Sequence, residues 1–188
     1  MPPNLAKLPL RWYLGWLLLA MVTSVQAQAP AAPLESQVKA AYLLKFASFV
    51  EWPEASFAHP DSALQIGVAG NDGLAEQLER MASGRNVNGH PVKVRRMAPH
   101  EALDELHILF VDGALERSAM ATLLGAARGQ SLLTVSDAGD AEASGCMINF
   151  VMADDKLRFD VALRHVAPSR LRISARMLAV AHRVQGAT

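Results

Sequence analysis

The sequence predicts an α/β domain: a mainly parallel central sheet flanked by helices, then a C-terminal β-hairpin and a final amphipathic helix. Three observations carry this. Short apolar runs at Leu64–Ala69, 91–96, 107–111 and 131–135 alternate with helix-length stretches at 74–82 and 114–127, the rhythm of crossover units. Two further alternating runs, 147–152 and 157–163, are joined only by Ala153-Asp154-Asp155-Lys156, a hairpin joint. Finally, Ile173, Met177, Val180, Ala181 and Val184 fall on one face of a helix over 173–184.

The chain has 188 residues, 51% hydrophobic and 19% charged, with 18 basic and 18 acidic side chains. That is enough apolar material for a core, so overall disorder is excluded. Without a basic excess, nothing displaces counterions from phosphates and nucleic-acid binding is disfavoured. A single cysteine, Cys146, excludes an intrachain disulfide, a cysteine zinc site and a CxxC redox pair. Residues 1–27 read as a cleaved secretory signal peptide: Lys7 and Arg11, an apolar run over 12–22, and small residues at Val25 and Ala27. Cleavage near Ala27 removes two basic residues and no acidic one, leaving an exported chain with two more acids than bases. Residues 28–34 follow as a flexible Pro/Ala tether, and 35–185 as a single domain.

Within that domain, Val38, Tyr42, Phe46 and Phe49 recur at helical spacing from Glu35 onward, and Pro53 forces an end. Asn71-Asp72-Gly73 is a turn signal between the strand at Leu64–Ala69 and the helix over 74–82. The strand over 91–96 alternates Val92 and Val94 with Lys93 and Arg95, which gives it one solvated face.

Few residues carry chemistry. Gly67, Gly70 and Gly73 follow neither dinucleotide nor P-loop spacing, and read as a strand–turn–helix junction. The six histidines (59, 90, 100, 107, 165 and 182) are dispersed, so no metal site is expected. Cys146 opens an apolar strand and reads as a buried thiol, and Asp137 and Asp140 read as loop residues. The expectation is a protein that is not an enzyme, with no catalytic residues and no cofactor. Arg170, Arg172, Arg176 and Arg183 form a basic strip suited to an acidic partner, to headgroups, or simply to water. Trp52-Pro53 with Phe57 forms an aromatic corner, either a ligand site or a cap on the core.

The segment Gln37-Val38-Lys39-Ala40-Ala41-Tyr42-Leu43-Leu44-Lys45-Phe46, running into Phe49-Val50-Glu51-Trp52-Pro53, resembles the opening signature of the YfiR-like family. Leu64-Gln65-Ile66-Gly67-Val68 is similar to its first strand. Met147-Ile148-Asn149-Phe150-Val151 and Lys156-Leu157-Arg158-Phe159-Asp160-Val161 resemble its hairpin. Leu171-Arg172-Ile173-Ser174-Ala175-Arg176-Met177-Leu178 resembles its closing helix. The resemblance spans nearly all of residues 34–185. It implies a periplasmic, usually dimeric α/β protein without catalysis, which represses a membrane-bound diguanylate cyclase by binding its periplasmic sensor domain. It also implies that an outer-membrane, peptidoglycan-linked lipoprotein sequesters the repressor, so that cyclic di-GMP and biofilm rise. A repressor of this kind works through an exposed apolar patch with charged neighbours. Leu171 and Ile173 beside Asp160, Arg172 and Arg176 match that description, and the same two apolar residues equally suit a core. The competing expectation is a periplasmic small-molecule sensor subunit for another receptor or kinase, with Trp52 and Phe57 as its ligand corner.

Overall fold

A computed structural model describes residues 31–139 and 144–186, with side chains from Leu34 onward. The expected signal peptide, its cleavage point and Asp140 lie outside the described residues.

Helix α1 spans Ala31–Phe49 and passes directly into β1, Val50–Glu51. It begins before Glu35, so the described end of the expected tether is helical. Ala40, Leu43, Leu44, Phe46 and Ala47 are its buried apolar residues, while Val38, Tyr42 and Phe49 sit half-buried on the flank. A helix apolar on almost every side offers several stripes, and the sheet selects the one that packs flattest.

After a short 3-10 turn at Glu54–Ser56 the chain enters β2 (Leu64–Ala69), α2 (Asp72–Ala82), β3 (Asn86–Val87), β4 (His90–Met97) and β5 (Leu106–Val111). Next come α3 (Arg117–Ala127), β6 (Leu133–Ser136), β7 (Ile148–Ala153) and β8 (Lys156–Ala162). A short α4 (Leu163–Val166), β9 (Arg172–Ile173), α5 (Ala175–Val180) and β10 (Arg183–Gln185) complete it. The main sheet has the order β10-β8-β7-β6-β5-β2-β4-β3. Strands β4, β2, β5, β6 and β7 run parallel, whereas β8 returns antiparallel to β7. Asp154 and Asp155 turn that hairpin with φ of 51° and 55°. Two successive positive φ values match the right-handed twist of the strands, and aspartate tolerates them better than most residues.

Alternation along the strands divides the core into two. Ile66, Val68, Ile108, Phe110, Leu133, Val135, Ile148, Phe150, Phe159 and Val161 pack under α1, α2 and Met177 of α5. Leu109, Val111, Ala69 and Met97 pack under Leu123, Leu124 and Ala127 of α3. Phe46 anchors the first layer, with ring centroids 5.0 Å from Phe159 and 5.9 Å from Phe150.

The last third departs from the expected continuous helix over 173–184. Ile173 belongs to β9, where Val50 pairs with Ile173 and Glu51 with Arg172. Ser174 caps α5 by accepting from the Met177 N–H at 3.3 Å. The helix ends at Val180, and Val184 lies in β10, parallel to β8. An edge strand satisfies the free side of β8, which a longer helix would leave unpaired.

At the start of α2, Asn71 does two things. Its Oδ1 accepts from the Leu74 N–H at 2.8 Å and its Nδ2 donates to Asp112 Oδ2 at 2.6 Å. Asn71→Ala should therefore destabilise the fold by about 1–2 kcal/mol, the usual cost of a lost cap plus a weakened bond. Urea denaturation of wild type and variant measures it, and a change under ~0.5 kcal/mol would contradict the double role.

Candidate functional site

The order of strands reverses between β2 and β5, and in open α/β sheets the crevice beyond such a reversal is the usual ligand site. Here the chain fills it. Gly70 has φ of 83°, and a Cβ built on it would lie 2.6 Å from Leu115 Cγ. The Asn71–Asp112 bond crosses the same gap, and Asp112 Oδ1 accepts from the Ala114 N–H at 2.8 Å. Gly67 and Gly70 of this junction serve packing and turn.

One strand further along, Lys39 of α1 reaches the same edge. Its ammonium lies 2.5 Å from Asp137 Oδ2 and 2.5 Å from Glu35 Oε1, although Lys39 itself is only 6% exposed. Asp137 Oδ1 accepts from the Gly113 N–H at 2.6 Å. Burial pulls the Lys39 pKa down, but the hydrogen bonds and charges of Asp137 and Glu35 outweigh it and leave the pKa raised. Asp137, expected as a loop residue, thus pins the first helix to the end of β6. Sequence reasoning missed this pair. Its one signal was Lys39 standing on the same helical stripe as Leu43, Phe46 and Val50.

The structure separates the residues expected to bind a partner. Leu171 is 7% exposed and belongs to the core; its N–H donates to Ser169 Oγ at 3.3 Å. Asp160 is also 7% exposed, and its register neighbours are Asn149 of β7 and Arg183 of β10. Ile173 is half-buried against the core, leaving Arg172 and Arg176 as the exposed members. The exposed apolar side chains nearest in sequence are Val180, 63% accessible, and Val184. Arg170, Arg172, Arg176 and Arg183 make no ion pair among the described residues.

The aromatic corner is packed as a stack. Phe57 lies between the imidazoles of His90 (centroids 3.8 Å apart, planes 8°) and His107 (4.2 Å, 27°). The Trp52 indole N–H donates to the His107 carbonyl at 3.1 Å. His107 Nδ1 accepts from the Gln65 N–H at 3.2 Å, and Nδ1–H of His90 donates to the Ser62 carbonyl at 2.8 Å. Burial lowers the His107 pKa to about 4; the Ser56 and Glu105 backbone opposes this and the His90 charge adds to it. A cleft of about 350 Å³ opens beyond Pro53 and Ser56, lined also by Glu105 and Arg170.

Cys146 is fully buried and its thiol is pushed up to about 11 by burial, which the Ser144 and Ser136 side chains only partly offset. Thiolate is the reactive form, so the native protein should resist Ellman's reagent until it is unfolded, and no disulfide-linked dimer should appear on non-reducing electrophoresis. Stoichiometric labelling of the folded protein within minutes would contradict this.

The fold and its surfaces define an α/β domain whose switch-point crevice is occupied by its own side chains. The chain belongs to the YfiR/HmsC-like family, whose model matches residues 36–182. A search of curated proteins finds no match. The family is regulatory rather than enzymatic, and membership suggests a periplasmic regulator of a diguanylate cyclase. Among the described residues no helix is long and apolar enough to cross a membrane.

Proposed function

We propose that the protein is exported, loses its leader near Ala27, and acts as a dimeric periplasmic repressor of an inner-membrane diguanylate cyclase. It binds the cyclase's periplasmic sensor domain and holds the inactive conformation, which lowers cyclic di-GMP and biofilm formation. The family match over residues 36–182 carries this reading. Exposed Arg172 and Arg176 with half-buried Ile173 form the docking surface, and buried Leu171 anchors it to the core, whereas Asp160, also expected there, lies on the other face of the main sheet. A repressor shifts its partner only by its difference in affinity for the two states, which a surface can supply without a catalytic group. An outer-membrane, peptidoglycan-linked lipoprotein relieves repression by sequestering it. The test is cyclic di-GMP in the host with and without the gene. A rise on deletion, reversed by the exported but not the leaderless protein, is expected; an unchanged level would overturn the reading.

A second reading, a small-molecule sensor subunit, is favoured by the cleft beside Ser56, Glu105 and Arg170, whose volume falls within the range of ligand sites. A ligand screen read by melting temperature tests it, and a screen without a shift argues against it.

A further inference from the structure

The sheet face beyond α3 carries three oxygen atoms with nothing to accept. Among the described residues, Asn149 Oδ1, Asp160 Oδ1 and Gln185 Oε1 are each buried and lack a hydrogen-bond partner. They stand on adjacent strands. Asn149 of β7 is directly opposite Asp160 of β8, and Asp160 is in register with Arg183 of β10. Gln185 lies two residues beyond Arg183, so its side chain leaves the sheet on the same face. A diagonal neighbour at that offset is within reach of a long side chain. Asn149 and Asp160 are 0% and 7% exposed.

The orientation of Asn149 is set independently. Its Nδ2 donates to the Gly139 carbonyl and, at 3.0 Å, to the Phe150 carbonyl. Both donors are used inside the protein, so Oδ1 is what the residue presents to the face. In this orientation the carboxylate and the two amide oxygens are all acceptors and do not satisfy one another. Arg183, the nearest cation in register, makes no ion pair with Asp160. Leaving such groups buried and unmatched is unfavourable.

We infer that Asn149, Asp160 and Gln185 form a binding site for a small hard cation, calcium by the chemistry of its donors. Neutral amide oxygens joined to one carboxylate suit an oxygen-seeking ion of flexible coordination, with water completing the shell. Among the described residues no group of three or more His, Cys, Asp or Glu could hold a metal; this set differs because two of its three donors are amides. One carboxylate alone gives weak binding, in the ~0.1–1 mM range of low-charge sites. The site ties β7 and β8 to β10, so occupancy stabilises the strand that closes the sheet. The inference does not depend on the cyclase reading.

Melting of the mature protein in EDTA and in about 10 mM calcium chloride tests it. Wild type should rise by about 3–10 °C, and magnesium, which demands stricter geometry, should give a smaller rise. Asp160→Asn should abolish the response. Gln185→Ala, at a half-exposed position and so tolerated by the fold, should reduce it at least several-fold. Arg183→Gln removes a repelling charge and should leave the response intact or enlarge it. No rise in wild type, an equal rise in Gln185→Ala and Asp160→Asn, or loss of the response in Arg183→Gln would each overturn the site.

Discussion

Replacing Lys39 with methionine should lower stability by about 3 kcal/mol, the low end for removing one partner of a buried ion pair. Methionine keeps most of the stem's packing, so the loss reports the charge. What remains is the Asp137 carboxylate, 17% exposed, which still accepts from the Gly113 N–H. For a domain of this size the melting temperature should fall by about 6–12 °C. The double variant Lys39→Met/Asp137→Asn should recover more than half of the loss, because no uncompensated charge is then buried. Recovery tells an ion-pair defect from a packing defect. If the single variant melts within 1 °C of wild type, the clamp has no energetic weight.

Acid should weaken the fold through His107 by an amount almost as large. Its pKa is about 4 in the folded protein against an ordinary 6.5. The unfolded chain therefore takes up a proton between those values and the folded one does not. Stability from the neutral imidazole is complete above pH 6.5 and is lost as pH falls toward 4, about 3 kcal/mol in all. Other groups titrate in the same window, so the comparison is with His107→Asn, whose stability should change less steeply between pH 7 and 4.5 by about 2–3 kcal/mol. Equal slopes in the two proteins would show that the stack carries no such linkage. Protonation of His90, on the other face of Phe57, adds to the cost of charging His107.

The longer strands were legible because an apolar or alternating run bounded by turn residues is a local property. Leu64–Ala69 is bounded in the sequence as it is in the structure, and the turn at Asp154-Asp155 announces itself by its residues. The stripe of α1 was not legible, since Val38, Tyr42 and Phe49 are as apolar as Leu43, Leu44 and Ala47. Only the sheet beneath decides between them. The end of α5 gave no warning either: no glycine or proline lies between Ala175 and Val184, and tertiary pairing with β8 overrides the helical pattern. Burial of Leu171 beside exposed Arg172 depends on the two-residue pairing with β1, which no local spacing encodes. Lys39 and Asp137 are 98 residues apart, so their meeting required the fold itself. Fold class and family were thus readable, whereas the charged clamp, the histidine stack and the amide–carboxylate cluster were not.

The pairing of Val50 with Ile173 has a consequence for how the chain acquires its shape over time. Helix α1 is made before any of the strands, yet its aromatic partners Phe150 and Phe159 and the strand that locks its exit come about a hundred residues later. Contacts this distant in sequence form slowly, since a long loop must close before they repay it. A growing or partly threaded chain lacks the residues needed to bury its own beginning. The locking of α1 therefore waits until Ile173 has been made, and a chain truncated before Arg172 should leave α1 open to proteases.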